Sequence, residues 1–264
     1  MNRVYSFALI MAALGVTGCA KRIPLPKHLQ QETAQDFLVR VRHQQSDLKS
    51  FTAEIRLTYF QERKRLRGTA LLATSRPCSL RYEVVGPHGG VLEAFAMTCQ
   101  RMQLLDTKNH RFIIAPTSIE NIDRLLPFAP LHLQASAWVA VLFGEIDIPQ
   151  TSQVSYDEQR GVYVVTWQRH KVQDAQVVPD VRVEIDPVTA QIQRMILSRD
   201  KHVLSDITIE GRDKRGLPEG LRIRVPGEKI DFAMKLRQVD YDPEFADSDF
   251  VLQAPQGISP EVLE

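Results

Sequence analysis

From Phe51 onward, apolar and polar residues alternate with a period of two through segment after segment, joined by short connections. Such a period turns one face of each strand to a core and the other to water, and short connections favour antiparallel neighbours. Ala53, Ile55, Leu57 and Tyr59 alternate with Glu54, Arg56, Thr58 and Phe60, and Leu66, Gly68, Ala70 and Leu72 alternate with Arg67, Thr69, Leu71 and Ala73. Met102–Leu105 and Phe112–Ala115 flank the turn-forming Asp106-Thr107-Lys108-Asn109. Further strands are read at about 151–157, 161–168, 177–185, 190–198, 203–210, 221–225 and 229–240, with a turn at Asp186-Pro187-Val188-Thr189. The tail from Asp242 reads as mostly irregular. A sheet of about twelve strands curls rather than staying flat.

Three segments break this period. Residues 29–48 read as an amphipathic helix through Ala34, Phe37, Leu38, Val41 and Leu48. Thr117 stands three residues before Glu120, the capping-box spacing, ahead of an apolar stripe of Ile119, Ile122, Leu125 and Leu126 that Pro127 and Pro130 end. Leu131–Phe143 is a second apolar segment, holding Trp138, Val141 and Leu142 and stopped by Gly144. The expected class is mainly β (α+β). Helices laid across the open side of a curled sheet enclose a hydrophobic hollow, a common place for a ligand. Ile55, Leu57, Tyr59, Leu80, Tyr82, Phe95, Met97, Trp138 and Leu142 are the candidates to line it. Alternation shows which residues share a face, not whether that face meets a ligand or a packed helix, so an ordinary solid core is the other reading.

The chain has three cysteines. Leu80–Val85 and Val91–Thr98 read as two strands around the turn Gly86-Pro87-His88-Gly89-Gly90. A hairpin centred on His88-Gly89 sets Cys78 opposite Cys99, Leu80 opposite Met97 and Tyr82 opposite Phe95. Directly opposed residues bring Cβ atoms close enough for a disulfide after small local adjustment, and a slip of one residue would destroy the match. Two free buried thiols are the alternative.

The N-terminus reads as an export signal. Arg3 precedes an apolar run, Val4 to Val16, too short to span a bilayer as a mature helix. The run closes on Val16-Thr17-Gly18-Cys19, which resembles the bacterial lipobox. Residues 1–18 are then the signal, Cys19 the acylated first residue carrying palmitate-like chains, 19–28 a lipid-anchored linker and 29–264 a single domain. By the lipoprotein sorting rule, Ala20 after the cysteine implies the outer membrane. The whole chain carries 33 basic and 32 acidic side chains, and loss of Arg3 balances them. Nothing in that balance steers the chain to nucleic acid or a strongly charged partner, and a zwitterionic or apolar ligand fits better than a polyanion. The seven histidines show no metal-ligand spacing, and no nucleophile elbow, phosphate loop or dinucleotide fingerprint is present. Asp240, Asp242, Asp247 and Asp249 read as solvated loop acids. No catalytic residue, metal or cofactor is expected.

The segments Leu80-Arg81-Tyr82-Glu83-Val84-Val85-Gly86-Pro87-His88-Gly89, Met102-Gln103-Leu104-Leu105-Asp106, the helix from Ile119, Leu133 to Gly144 and the ending Phe250 to Ile258 resemble the lipoprotein-localisation family of LolB-like receptors and LolA-like carriers. The resemblance implies a curved, incomplete antiparallel barrel of about eleven strands with helices covering its open face. It implies an outer-membrane, periplasm-facing, monomeric lipoprotein that holds acyl chains of lipoproteins or lipids in an apolar cavity, with a periplasmic carrier as a partner. It also implies a membrane-facing loop at Pro87, His88 and Gly89. His88 stands where the receptors carry an exposed leucine, and imidazole is a poor membrane wedge; Val91 and Leu92 are the nearest apolar substitutes. A scaffold lipoprotein that uses the fold without lipid transfer is the alternative.

Overall fold

A computed structural model describes residues 22–62, 64–126, 130–168 and 179–263. The signal 1–18, the acylation candidate Cys19 and Pro127 lie outside the described residues. The alternating segments form fourteen strands of one sheet: β1 (Ser50–Gln61), β2 (Lys64–Ser75), β3 (Ser79–Val85), β4 (Val91–Met97), β5 (Arg101–Asp106), β6 (Arg111–Pro116), β7 (Gln153–Asp157), β8 (Val162–Gln168), β9 (Asp180–Ile185), β10 (Ile192–Arg199), β11 (His202–Arg212), β12 (Pro218–Val225), β13 (Ile230–Tyr241) and β14 (Pro260–Val262). The helices are α1 (Ala34–His43), α2 (Ile119–Leu125) and α3 (Ala135–Leu142).

The sheet is curved, unclosed and, apart from β14, antiparallel, running β14-β6-β5-β4-β3-β2-β1-β13-β12-β11-β10-β9-β8-β7. Two meanders, β1–β6 and β7–β13, join where β1 pairs with β13 along Phe51↔Tyr241 to Gln61↔Ile230. This puts β6 and β7 at opposite margins, so the segment between them has to cross the open face. It crosses as α2 and α3.

The strand count exceeds the eleven expected, partly because the tail is not wholly irregular. Pro260–Val262 adds a parallel strand to β6, Pro260 facing Phe112, and covers backbone groups that an edge strand would expose. Before it, Leu252 is buried against Ala94, Ala96 and Phe112. Gln103 holds it on both sides, its Nε2 donating to the Leu252 carbonyl (3.1 Å) and its Oε1 accepting from the Leu252 N–H (2.9 Å). Two of the four C-terminal aspartates are structural: Asp242 accepts from the Lys49 N–H and Asp249 from the Ala246 N–H.

The leading helix is shorter than 29–48. Thr33 accepts from the Asp36 N–H and the Asp36 carboxylate accepts from the Thr33 N–H, a reciprocal cap that starts α1 at Ala34. Phe37 lies 4.0 Å from the Tyr163 ring of β8, and Arg40 donates to Glu32 and to the Pro187 and Val188 carbonyls of the β9–β10 turn. α1 therefore covers the β8–β10 side of the concave face. α2 is capped one residue later than expected: Ser118, not Thr117, accepts from the Asn121 N–H, while Thr117 Oγ1 donates to the Thr98 carbonyl. α3 ends on Gly144 at φ +73°, where a Cβ would sit 2.5 Å from the Arg212 guanidinium. That guanidinium donates to the Gly144, Ile192 and Gly216 carbonyls, tying the end of α3 to the sheet.

The expected 19–28 linker does not hang free over its described part. The Ile23 N–H donates to the Glu158 carbonyl (2.7 Å), Tyr156 Oη donates to the Ile23 carbonyl (3.0 Å), and Leu25 packs on the core.

Cys78 and Cys99 are disulfide-bonded, with Cα atoms 5.1 Å apart. The β3–β4 register sets Leu80 against Met97 and Tyr82 against Phe95, and slips only near the turn, where Val84 faces Glu93 and Val85 faces Val91. Leu92 is the extra residue of that bulge. The bond closes a loop with a sequence separation of 21, so replacing both cysteines by serine is expected to lower unfolding stability by roughly 3 kcal/mol. Non-reducing mass measurement of the exported protein should find the pair two hydrogens lighter than the dithiol; full titration of free thiols would contradict it.

Candidate functional site

Under α2 and α3 the concave face is not filled. A hollow of about 500 Å³ lies between sheet and helices. Ile55, Leu57 and Tyr59 enter it from β1, Leu72 from β2, Leu80, Tyr82 and Val84 from β3, and Phe232 and Met234 from β13. Leu126, Trp138 and Leu142 face it from the helical side. The hairpin tips provide its rim, with Leu66 (62% exposed), Leu92 (50% exposed), Arg67, Lys108 and Asn109.

Seven of the nine candidate lining residues come together on this wall: Ile55, Leu57, Tyr59, Leu80, Tyr82, Trp138 and Leu142. Phe95 and Met97 do not. Both are fully buried in the core. Phe95 is covered by the Tyr82 ring, stacked at 5.6 Å. Met97 pairs with Leu80 toward the disulfide and is buried in one apolar cluster with Cys78, Ile122, Leu125 and Ala135. The large apolar hollow lies toward the hairpin tips, and a second, more polar cleft of about 400 Å³ opens beside the disulfide.

Sequence reasoning missed Glu93 and Asp106, the acids of the wall. The signal was present, because Glu93 has the same strand parity as Phe95 and Met97 and is therefore a charged residue on the apolar face. Tyr82 is buried and donates from its hydroxyl to Glu93 Oε1 at 2.6 Å. Burial, then the Glu93 charge, pushes the Tyr82 phenol well above its ordinary value. Burial also raises the Glu93 carboxyl, with Asp106 adding to it and the Tyr82 hydrogen bond opposing it. Asp106 lies directly opposite Glu93 across β4–β5. Burial acts to raise its carboxyl too, but hydrogen bonds from Asn109 and the Lys108 N–H, together with Arg111, outweigh burial and hold it below the ordinary range. Trp138 keeps a buried indole N–H with no hydrogen-bond partner. The loop Pro87, His88 and Gly89 is exposed beyond the β3–β4 bulge.

The exit of the helical cover is held by a histidine. His132, at φ +53°, lies between α2 and α3; its backbone N–H donates to Asp123 Oδ1 (3.0 Å) and its Nδ1 lies 2.6 Å from Asp123 Oδ2. Hydrogen bonding to Asp123 raises the imidazole above 6.5 despite burial and Arg199.

No family model matches the sequence, and no curated protein matches it. Solved structures do match its fold. A curled, unclosed sheet with helices over its concave face is an incomplete barrel. More narrowly, the fold is LolA-like: it matches a LolA superfamily protein from Nitrosomonas europaea at 11% identity, over 83% of this chain and 98% of that one, with a TM-score of 0.56. A domain from Vibrio parahaemolyticus described as an outer membrane lipoprotein-sorting protein matches at 9% identity, over 82% and 95%, with a TM-score of 0.59. A DUF1329 family protein from Desulfovibrio piger matches at 10% identity, over 82% and 95%, with a TM-score of 0.50.

Two outcomes are expected. Leu57 faces Gly68 and Met234 across its strand pairs, so Leu57→Phe has space to enter. Filling an empty hollow should raise stability by about 0.5–2 kcal/mol, whereas overpacking a solid core would lower it by about 1–3 kcal/mol; the sign of the change in urea midpoint decides. For His132, a folded value raised above the unfolded one means that the Asp123 pairing stabilises fully below about pH 6.5 and is lost as pH rises through the raised folded value. The stability difference between the protein and its His132→Gln variant should shrink as pH rises from about 6.5 through the raised folded value; a pH-independent difference would remove His132 as its source.

Proposed function

We propose that the chain is a non-catalytic outer-membrane lipoprotein, anchored through acyl chains on Cys19 and facing the periplasm. In this reading it binds acyl chains of lipoproteins or lipids in the hollow and aids their localisation or insertion. The observation that carries this is the unfilled apolar space beneath α2 and α3. Protein interiors otherwise pack like organic crystals. A space of about 500 Å³ lies within the range of small-molecule sites and has room for a hydrocarbon tail. Each methylene contributes about 0.8 kcal/mol on leaving water, in protein as in bilayer. Exchange of a chain between hollow and membrane is then nearly isoenergetic and needs no chemistry.

Among the described residues no helix is long and apolar enough to cross a membrane, which agrees with anchoring by lipid alone. The rim with Leu66, Leu92, Val91 and the Pro87-His88-Gly89 loop is the surface through which a chain enters and leaves. Ile23 docks at the β7–β8 turn, at the opposite ends of the strands from this loop. A tether held there favours a mouth that first meets a periplasmic carrier, with the Ile23 contact released when the mouth reaches the bilayer.

Solvent extraction of the purified Cys19→Ala protein, which cannot be acylated, is expected to recover acyl lipid in near-stoichiometric amounts. Leu57→Phe should cut that yield about tenfold while leaving the far-ultraviolet circular dichroism unchanged. A protein that carries no lipid and takes up no neutral alkyl probe would leave only the docking module.

A further inference from the structure

Resting on the acyl-binding reading above, we propose that Glu93, oriented by Tyr82, selects the head of the bound chain. The hollow then takes ligands whose head donates a hydrogen bond and carries no negative charge, such as an acyl amide or an ammonium, and discriminates against free fatty acids.

The placement of Glu93 is the first ground. It faces the mainly apolar hollow from β4, in strand parity with the buried Phe95 and Met97. An inward carboxyl at such a position is costly unless something binds it. Tyr82 supplies one hydrogen bond, at 2.6 Å to Oε1, and because the phenol is fixed by stacking on Phe95 the carboxyl is fixed with it. Among the described residues no other side chain is hydrogen-bonded to Glu93, so its second oxygen is left for water or for a ligand donor.

The second ground is charge. Asp106 faces the same hollow directly opposite Glu93 and is kept ionised by Asn109 and Arg111. An alkyl carboxylate seated there would bring a third negative group to two already present, and like charges at that range repel. The cations Arg67 and Lys108 also border the hollow, but both are exposed at the rim, where solvent and salt screen them. Glu93 and Asp106 are half-buried and screened less.

The third ground is hydrogen-bond chemistry. An amide or an ammonium brings a donor for the open Glu93 oxygen. A fatty acid at neutral pH brings acceptors only.

The test is competition of lauramide, dodecylammonium and laurate against a neutral fluorescent alkyl probe on the Cys19→Ala protein at about pH 8, where laurate is ionised. Lauramide and dodecylammonium are expected to bind at least about tenfold more tightly than laurate. Glu93→Gln, which keeps the shape and removes the charge, should bring that ratio below about threefold, as should Glu93→Thr, which keeps a strand-forming residue. Equal binding of the three ligands, preference for laurate, or a ratio unchanged in both variants overturns head selection while leaving the acyl-binding reading in place. Failure of every ligand and of the neutral probe to bind overturns that reading and this inference with it.

Discussion

The pairing of β1 with β13 is the constraint from which the rest of the structure follows. It joins the first long strand to the last, so that two simple meanders become one sheet and their loose ends, β6 and β7, are driven to opposite margins. The chain then has one way from β6 to β7, across the concave face. That path is built from Ile119–Leu125 and Ala135–Leu142, whose apolar residues need cover as much as the sheet does. Gly144 and Arg212 fix where the crossing ends, and the disulfide ties the start of β3 to the β4–β5 connection below it. A short crossing over a wide trough does not fill it, and the hollow is the space left between its underside and the strands that lead to the hairpin tips.

Much of this was legible locally. Strand positions followed from the period of two, and the Cys78–Cys99 register from a turn and two cysteines, because a hairpin's pairing is set by its own residues. Long-range pairing was not legible. Nothing local in Ile230–Tyr241 says that it lies beside Ser50–Gln61, and so Phe232 and Met234 read as a half-buried strand without a place on the hollow's wall. Phe95 and Met97 show the same limit from the other side. Their parity put them correctly on the concave face, but where the helices bear on that face is tertiary, and it made these two residues core. Thr117 matched the capping-box spacing, yet Ser118 is the cap, since Thr117 is used by the Thr98 carbonyl of a neighbouring strand connection.

Buried charges elsewhere in the fold are matched in a way that the acids on the wall of the hollow are not. Glu145, buried, is met by the Ser46 N–H and by Arg76, and Arg194 meets Asp206 in a two-pronged pair at 2.7 Å. These are matched sets, as buried charges require. Glu93 is different: its one side-chain partner is a neutral phenol, and its strand neighbour is another acid. Natural cores do not keep such an arrangement for stability, because an uncompensated carboxyl in apolar surroundings costs free energy. In the proposed reading, its position on the wall of the hollow couples that incomplete pairing to binding.

A hydrocarbon chain offers a protein little to recognise. Burial is non-directional and scales with area, so an apolar hollow by itself accepts any chain of suitable length. The property that makes exchange with a bilayer easy, equal free energy per methylene on both sides, also makes it indiscriminate. Discrimination has to come from the few atoms that are not hydrocarbon, and unpaired polar groups set at the mouth of an apolar site reject a mismatched head far more strongly than a pocket rejects a missing methylene. In the proposed reading, the division between Ile55, Leu57, Leu142 and their neighbours on one hand and Tyr82, Glu93 and Asp106 on the other separates capacity from selectivity. The two can vary independently, since the first depends on where the helices bear on the sheet and the second on which side chains the β3–β4–β5 hairpins carry beside the opening.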